Sequence, residues 1–588
     1  MTHASASKSV SGFSKAPLVV GLALALGGSF AATARASTAA APMIDAAAPP
    51  AVRNALRFGD QAAVLERRWR AGDAAHRSAT RPAGTVVVAN CDDSGAGSLR
   101  DAIENAVTGD VIDLSNLACS TITLSTGLVS TVDLLTLTGP GAGALAIDGN
   151  DAVRVIEQQG YDMLTIEGLT LRNGSYVYSG PGIYGGLAPG ACVLARGSVT
   201  LTDSTLEHCS ASGWSVFGAA INSGGALFMT GSSITGTVAN ADATEISATV
   251  YGGAVYSKAA YLTNSTISDA TITATSTSAF SGFLGGGVFG FYGVVMDASR
   301  VSGITAHVAG AKIAYAKGAG VASPNTVIMT GSTVADNTVY GTPGVGLSGA
   351  YTYTSAIGGG GVYVMTIPRS TIVASSIESS TISNNRALCD GACGDYTVGG
   401  GGAIGSWSPK PFTIANTTLS GNTTDVRGGG LYLRHLGAVA LVNATITNNT
   451  APEGSGIADA AAKAAYPFAI ESSLIAGNHA TEGATSEEIV TVHEIAGSHD
   501  FIASANVALP GDTLGGDPML GALADNGGPT QTHALLAGSP AIDAGSNTAN
   551  LETDQRGGAY VRVSGVAADI GAFEAQGAPD VIFGNGFD

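Results

Sequence analysis

The 588-residue sequence is poor in charged residues, and above all in lysine. Charged residues make up 12% of the chain, lysine occurs only seven times, and the formal net charge is -19. A nucleic-acid partner needs clustered cations on the protein, so this composition argues against one. It also disfavours binding to anionic lipid or polyuronate, unless a local basic patch or a metal ion intervenes.

The sequence also lacks an apolar run of the roughly 20 residues that a membrane-spanning helix needs. The N-terminus instead has the parts of a secretory signal: a basic segment with Lys8 and Lys15, an apolar core over residues 18–26, and a small-x-small cleavage site at residues 34–36. We therefore predict a signal peptide over residues 1–36. The protein is expected to be secreted or held at the cell surface, with no transmembrane helix in the mature chain.

Cysteine is scarce, and its six residues fall into pairs that are close in sequence. An even number of cysteines in an exported protein indicates disulfides. A zinc site is the alternative, but the usual Cys-x2-Cys spacing is missing and no histidine lies beside the last pair. We predict three disulfides, which join Cys91 to Cys119, Cys192 to Cys209 and Cys389 to Cys393. We predict no metal or cofactor.

What the chain does have is glycine, with 83 residues, beside an ordinary apolar fraction of 45%. That composition excludes disorder, which goes with low hydrophobicity and high charge. Gly428 to Asn449 is the clearest copy of a repeat that contains a glycine run, two short apolar stretches and a Thr-Ile-Thr-Asn-Asn close. A recurring mark is an aliphatic residue in a hydroxyl-rich context, at Leu206, Ile234, Ile267, Val301, Val334, Ile382, Leu419, Ile446 and Ile475.

The spacing of these marks predicts a solenoid. Successive marks lie 28, 33, 34, 33, 48, 37, 27 and 29 residues apart. Such units are too long for collagen or heptads and too short for propeller blades, and the leucine spacing of leucine-rich repeats is missing. We therefore predict an all-β fold, a right-handed parallel β-helix with two or three short strands in each unit. The widest gaps indicate long loops or an inserted coil.

Asparagine recurs three residues after the later marks, which predicts a stacked amide ladder inside the coils. At the corresponding position of an early coil stands Cys209, so we expect the disulfide to Cys192 to replace a rung there. The predicted ladder consists of Asn337, Asn385, Asn422, Asn449 and Asn478.

The remaining segments flank the β-helix repeats, which we place at residues 120–480. Residues 37–83 are rich in Ala and Arg and are predicted to form a linker or helix. Residues 84–119 are predicted to form an N-terminal cap and the first coil, because Ser98 can cap a short helix. A turn-rich C-terminal region follows at residues 481–576, and a short aromatic and glycine-rich tail at residues 577–588.

Several of these motifs resemble known families. The Gly-Gly-aliphatic and Thr-Ile-Ser-Asn-Asn repeats resemble the right-handed β-helix repeats of pectate-lyase-like proteins and of the passenger regions of polymorphic outer-membrane proteins. The segment from Asp525 to Glu574 resembles the choice-of-anchor Q domain of secreted bacterial proteins, and Gly97 to Ile103 resembles their N-terminal caps. The resemblance implies export, surface display and a parallel β-helix. It carries over no catalytic residue.

Some acidic and basic residues could catalyse polysaccharide cleavage, but each of them can also be explained by a structural role. A glycosidase needs paired carboxylates, and a lyase needs a basic side chain, usually beside acidic calcium ligands. Turn positions explain the acids equally well, and no acidic cluster accompanies the lysines. The candidate acids are Asp203, Asp269, Asp297 and Asp336, and the candidate bases are Lys258, Lys312 and Lys317.

Three further groups of polar residues have a functional or a structural interpretation. Arg434 and His435 could act as an acid–base pair, although a strand or loop role is the simpler interpretation. A histidine- and glutamate-rich stretch could bind a divalent metal, and we favour a solvated loop. It comprises His479, Glu487, Glu488, His493, Glu494 and His499. An ion-paired cluster closing the C-terminal end is predicted from Asp543, Asp554, Arg556 and Asp569.

Aromatic residues are the last clue, because they concentrate between residues 176 and 292. Exposed rows of rings stack on sugars or anchor protein partners, whereas internal rows only fill the core. The sequence leaves both alternatives open. These residues are Tyr176, Tyr178, Tyr184, Trp214, Phe217, Tyr251, Tyr256, Phe280, Phe283, Phe289, Phe291 and Tyr292.

We therefore expect a monomeric surface or extracellular β-helix protein that is adhesive or binds a ligand without catalysis. Its expected partner is a polysaccharide or a cell-surface protein. The alternative is a polysaccharide lyase or glycoside hydrolase that acts on an extended polysaccharide in a β-helix groove.

Overall fold

The computed structural model describes residues 82–178, 186–244, 247–277, 280–310, 313–342, 356–365, 374–390, 398–434, 437–460, 468–484 and 487–576. The predicted signal peptide, most of the 37–83 segment and the tail at residues 577–588 lie outside these ranges. The described chain is a stack of coils built from short parallel strands, which is the parallel β-helix that the repeat predicts.

Sheet 1 has 24 strands in two rows, and the strands Val255–Thr263 and Val288–Asp297 run through both rows. The first row also contains Leu128–Ser130, Ile156–Gln158, Val193–Ala195, Ile221–Ser223, Val321–Ser323, Val362–Met365, Ile404–Trp407, Leu431–Leu433, Ile457–Asp459 and Ile489–Val490. The second row also contains Thr85–Val87, Asp110–Asp113, Leu135–Thr138, Met163–Glu167, Ser198–Thr202, Ala226–Thr230, Val327–Thr330, Ser375–Glu378, Phe412–Ala415, Val439–Val442, Phe468–Glu471 and Ile495–Ser498.

Sheets 2, 3 and 4 are the other long parallel sheets. Sheet 2 contains Thr121–Thr123, Ala146–Asp148, Thr170–Arg172, Thr205–Glu207, Ser233–Thr235, Thr266–Ser268, Arg300–Ser302, Thr333–Ala335, Thr381–Ser383, Thr418–Ser420, Thr445–Thr447, Leu474–Ile475 and Phe501–Ile502. Sheet 3 contains Ser175–Val177, Ser210–Gly213, Val238–Ala243, Thr271–Ser276, Thr305–Gly310, Thr338–Thr342, Arg386–Cys389, Thr423–Thr424, Thr450–Ala451 and His479–Ala480. Sheet 4 contains Leu187–Pro189, Ser215–Phe217, Ala248–Tyr251, Phe280–Leu284, Ile313–Lys317, Ala356–Gly358 and Val398–Gly400.

The aliphatic marks of the sequence stack on one another inside sheet 2. Leu206 pairs with Ile234, the row continues coil by coil to Ile475, and all its members are fully buried. Val334 pairs directly with Ile382, so the widest gap is a long loop and not an inserted coil. Stacking at about 4.8 Å per coil therefore accounts for the repeat.

A full coil holds five short strands, more than the two or three that the sequence predicts. The reason lies in its corners, where single residues with left-handed backbone turn the chain between three-residue strands. Asp203 (φ 46°) occupies such a corner before sheet 2, and Asp269 (φ 55°) occupies one after it. Each such corner is marked in the sequence by little more than one Asp, Asn or Gly, so the boundaries between the short strands could not be predicted.

The predicted asparagine ladder is confirmed. The side-chain oxygen of Asn422 accepts hydrogen bonds from the backbone N–H (2.9 Å) and the side-chain amide (3.0 Å) of Asn385, and the same pattern runs from Asn337 to Asn478. The ladder ends on the carboxyl group of Glu488, which accepts from Asn478.

A second ladder, of hydroxyl groups, lies at the corner before sheet 2. The backbone N–H of one hydroxyl residue donates to the side chain of the next, as from Ser232 to Ser265 at 3.3 Å. Each hydroxyl in turn donates to the carbonyl two residues earlier. The last donor is the Ser473 backbone N–H, which bonds the carboxyl group of Asp500 at 2.9 Å. This hydroxyl ladder was not predicted from the sequence.

The N-terminal end is covered by the single helix among the described residues, α1 (Leu99–Glu104). The Ser98 side chain caps it by accepting from the Asp101 backbone N–H, as predicted. Leu99 and Ile103 are buried against the first coils. No helix in the described part of the chain is long and apolar enough to cross a membrane.

The C-terminal region folds back along the outside of sheet 2. It contains the antiparallel strands Leu520–Ala524 and Thr532–Leu535. Its contacts reach back over several coils, because Thr381 donates to the carbonyl of Gln531 and the Ala572 backbone N–H donates to Thr445. The region therefore covers one flank of the solenoid.

Candidate functional site

An aromatic strip runs along the outer corner where sheet 4 leads into the first row of sheet 1. Successive side chains of a strand point to opposite faces, so Val255 and Val288 fill the core while Tyr256 and Phe289 point away from it. Tyr256 is half-buried there, and Phe289 is buried among the neighbouring rings. The strip consists of Phe217, Tyr251, Tyr256, Phe289, Tyr315, Tyr363 and Trp407.

The rings at the N-terminal end of the strip contact one another continuously. Phe217 stacks on Tyr251 with centroids 5.3 Å apart, and Tyr256 stacks on Phe289 at 5.6 Å. Edge-to-face contacts join the two pairs, from Phe217 to Tyr256 and from Tyr251 to Phe289. Such packing holds the rings in fixed orientations.

The strip continues towards the C-terminus through Tyr315 and Tyr363 to Trp407. Phe289 and Tyr363 belong to one apolar cluster, against which Tyr315 packs. Trp407 retains 45% of its exposure, so the strip ends on an open indole. From the coil of Phe217 to the coil of Trp407 there are five coil spacings, or roughly 24 Å.

Lys317 lies within the strip and is only 4% exposed. Its Nζ donates a hydrogen bond to the Tyr363 hydroxyl at 2.5 Å. The same nitrogen lies 4.6 Å from the Tyr315 centroid, 4.3 Å from the Tyr363 centroid and 5.8 Å from the Trp407 centroid. Among the described residues, its polar contact is this phenol and no carboxylate pairs with it.

Burial changes the acidity of these groups. It lowers the pKa of the Lys317 amine to about 7, with a smaller contribution from the positive charge of Arg434. Burial also raises the pKa of Tyr363 well above its usual value, and it raises the pKa of Tyr315. A substantial fraction of the amine is therefore neutral near pH 7, while both phenols stay protonated.

Arg434 packs on the solvent-facing side of the strip. Its guanidinium lies 4.8 Å from the Trp407 centroid, and the side chain is exposed. His435, which the sequence pairs with Arg434 as an acid–base candidate, lies outside the described residues. The observed partner of Arg434 is thus an aromatic ring, in a cation–π contact.

The candidate glycosidase acids occupy structural positions. Asp203, Asp269 and Asp336 all have left-handed backbone at corners of the coils. Asp297 ends a strand of sheet 1, in register with Thr263 and Thr330. Corner geometry therefore accounts for three of the four, which agrees with the structural interpretation of these aspartates.

The candidate lysine bases differ in their surroundings. Lys258 is half-buried in the first row of sheet 1, and Lys312 lies outside the described residues. Lys317 is enclosed by aromatic rings. No group of three or more metal-ligating side chains occurs among the residues described, so the acidic cluster expected beside a calcium-dependent base is not seen there.

The side chains of the histidine- and glutamate-rich stretch contact different residues. His493 lies 3.3 Å from Asp459, and His499 lies 3.7 Å from Asp512. Glu488 ends the asparagine ladder, where burial raises its pKa. These side chains do not converge on one point.

Of the predicted C-terminal ion-paired cluster, Asp554 pairs with Arg556, whereas Asp543 and Asp569 are joined by a hydrogen bond from the Asp543 backbone N–H to the Asp569 carboxylate. These residues lie on the flank of the solenoid and do not close its end. Asp554 and Arg556 form a buried ion pair at 2.6 Å, and buried Arg562 lies 3.4 Å from Glu574. The Asp569 carbonyl accepts from Arg562. The displacement follows from the path of the chain, which returns over sheet 2 after the last coil.

The cysteine predictions concern the scaffold. The disulfides Cys91–Cys119 and Cys192–Cys209 are present. Cys209 shares the phase of the asparagine ladder but is separated from its first member, Asn337, by Thr237, Ala270 and Ile304 at the equivalent positions. Cys389 is disulfide-bonded, and its predicted partner Cys393 lies outside the described residues.

Aromatic residues divide between the two predicted roles. Phe283 is 1% exposed inside the core, and Tyr178 meets Trp214 edge to face apart from the strip. Tyr184 lies outside the described residues. The extension of the strip to Tyr363 and Trp407 was not predicted from the sequence, because long loops put these residues out of phase with the earlier rings.

Comparisons with known proteins add little. No family model matches the chain, and no curated protein matches it. Among solved structures, pectate lyase Pel9A is 12% identical, covers 84% of this chain and 97% of its own, and superposes with a TM-score of 0.29. A match at that score carries no functional argument, so the fold assignment rests on the strand pairing given above.

Proposed function

We propose that this is an exported, surface or extracellular β-helix protein that binds an extended polysaccharide along the aromatic strip without cleaving it. The observation that carries the proposal is the row of rings that runs for roughly 24 Å parallel to the solenoid axis. Trp407 is its exposed ring, Phe289 and Tyr363 are buried, and the other four rings are half-buried. Flat apolar faces in fixed positions suit a ligand of repeated rings, because aromatic side chains supply large contact area at low entropic cost.

Export and anchoring belong to the same proposal. Residues 1–36 act as a signal peptide, and residues 525–574 act as a choice-of-anchor Q-type domain. The pairs of nearby cysteines support an oxidising destination. Mass measurement of the protein from the culture medium should give a chain that begins at Ser37. A chain retained with its first 36 residues would refute the signal peptide.

The binding test is affinity electrophoresis of the secreted protein in gels that contain neutral or acidic polysaccharides. Trp407→Ala should weaken retardation by roughly tenfold, as expected for the loss of the exposed aromatic anchor of the strip. Tyr161→Ala is the matched control, because Tyr161 is also an exposed ring beneath an arginine (Arg196, 5.6 Å) but lies outside the strip. Equal effects of the two substitutions would refute the strip as the binding site.

Cleavage is tested in the same samples by measuring released saccharides. The proposal predicts that none appear above the level of a protein-free control. Release of saccharides that is lost in Lys317→Gln would overturn it and favour the polysaccharide lyase alternative, with Lys317 as the base.

A further inference from the structure

We propose that Lys317 is a nucleophilic amine that captures a small aldehyde as an imine within the aromatic strip. This chemistry is separate from polysaccharide binding and does not require it. The geometric basis is an amine surrounded by Tyr315, Tyr363 and Trp407, with a phenol as its hydrogen-bond partner.

The surroundings of the amine favour its neutral form. A buried ammonium ion normally needs a carboxylate partner, but the described contacts of Lys317 provide aromatic faces and the Tyr363 hydroxyl. The nearby guanidinium of Arg434 further disfavours a second positive charge. Desolvation beside another cation is a known way to activate a lysine for attack on carbonyl carbon.

The neighbouring groups suit imine formation. The lone pair of Lys317 Nζ attacks the aldehyde carbon, a C–N bond forms, and the carbonyl electron pair moves to oxygen. The Tyr363 hydroxyl, 2.5 Å from the amine, can supply a proton to that oxygen and recover one from nitrogen. The carbinolamine then loses water and leaves a C=N bond, so the balance is one aldehyde consumed and one water released.

Access limits the ligand to a small molecule. Lys317 is 4% exposed, and Trp407, at 45% exposure, forms the outer wall of its surroundings. A short hydroxy aldehyde, or the open-chain end of a small sugar, fits these conditions better than an internal unit of a polymer. The rings would contact its carbon chain, and Tyr363 would contact its oxygen.

The experiment is reductive trapping on the folded, full-length secreted protein. Glycolaldehyde and sodium cyanoborohydride are added at neutral pH, and the alkylated lysines are identified and timed by peptide mass mapping. Lys258 and Lys410 serve as internal references, because both are half-buried lysines that lie outside the aromatic strip. Alkylation of Lys317 should be at least tenfold faster than alkylation of either reference lysine.

Two variants separate this proposal from simple exposure. Tyr363→Phe keeps the ring and removes the hydroxyl, so it should slow trapping at Lys317 severalfold and leave Lys258 unchanged. Tyr161→Ala should change neither rate. Alkylation of Lys317 at or below the rate of the references in the wild-type protein would overturn the proposal, whatever the outcome of the polysaccharide assay.

Discussion

The asparagine ladder gives the sharpest test of how this fold is held together. Asn422 is fully buried, accepts two hydrogen bonds from Asn385, and donates to Asn449 at 2.8 Å and to the Ile382 carbonyl at 2.9 Å. Asn422→Ala leaves the Asn385 backbone N–H and the Ile382 carbonyl buried without these partners. At about 1–3 kcal/mol for each of the two unsatisfied groups, the loss should be about 2–6 kcal/mol.

Thr237→Ala is the matched control, because Thr237 occupies the same ladder position in an earlier coil. Its hydroxyl oxygen is buried and has no hydrogen-bond partner among the described residues. Removing it deletes no hydrogen bond, so the cost should be under about 1 kcal/mol. The two substitutions therefore compare a bonded rung with an unbonded one in the same surroundings.

The assay combines urea unfolding with hydrogen exchange. Solenoids can unfold in parts, so the exchange rate of the Asn385 backbone amide is the local readout and the urea midpoint is the global one. Asn422→Ala should lower the midpoint and speed exchange at Asn385, whereas Thr237→Ala should do neither. Equal midpoints for the two variants would refute the ladder as a source of stability.

Three further predictions concern the rest of the scaffold. Burial raises the pKa of Asp500 to about 8, so the stability contributed by its protonated form is complete below its ordinary pKa of 3.8 and is lost as the pH rises through about 8. The melting temperature of the wild type should therefore fall relative to that of Asp500→Asn between about pH 5 and pH 9, and parallel curves would contradict this. Gly428→Ala should lower the free energy of unfolding by at least about 1 kcal/mol, because Gly428 has φ 65° and a Cβ there would overlap a backbone carbonyl. Gly511→Ala is the control, because a Cβ at Gly511 meets open space, and it should leave the urea unfolding curve unchanged. Replacing both Cys192 and Cys209 by Ser should lower the free energy of unfolding by about 3 kcal/mol, the value expected for a disulfide that closes a 17-residue loop. A calorimetric scan identical to that of the wild type would show that this disulfide does not stabilise the protein.

The sequence by itself determined the repeat and much of its chemistry. Stacked coils require equivalent residues at equivalent positions, so the aliphatic row from Leu206 to Ile475 and the asparagine ladder could be found from periodicity alone. The Ser98 cap and the Cys192–Cys209 disulfide followed from local spacing. Each of these features depends on residues near in sequence or equal in phase.

Only the tertiary structure decided which residues are in contact on the outer surface of the solenoid. Lys317, Tyr363 and Trp407 meet because three successive coils stack, although long loops separate them by 46 and 44 residues in sequence. The C-terminal region likewise covers sheet 2 through contacts between residues more than 100 positions apart, such as Asn416 with Thr553. Such contacts leave no period in the sequence, because they join the repeat to loops and to a segment outside it.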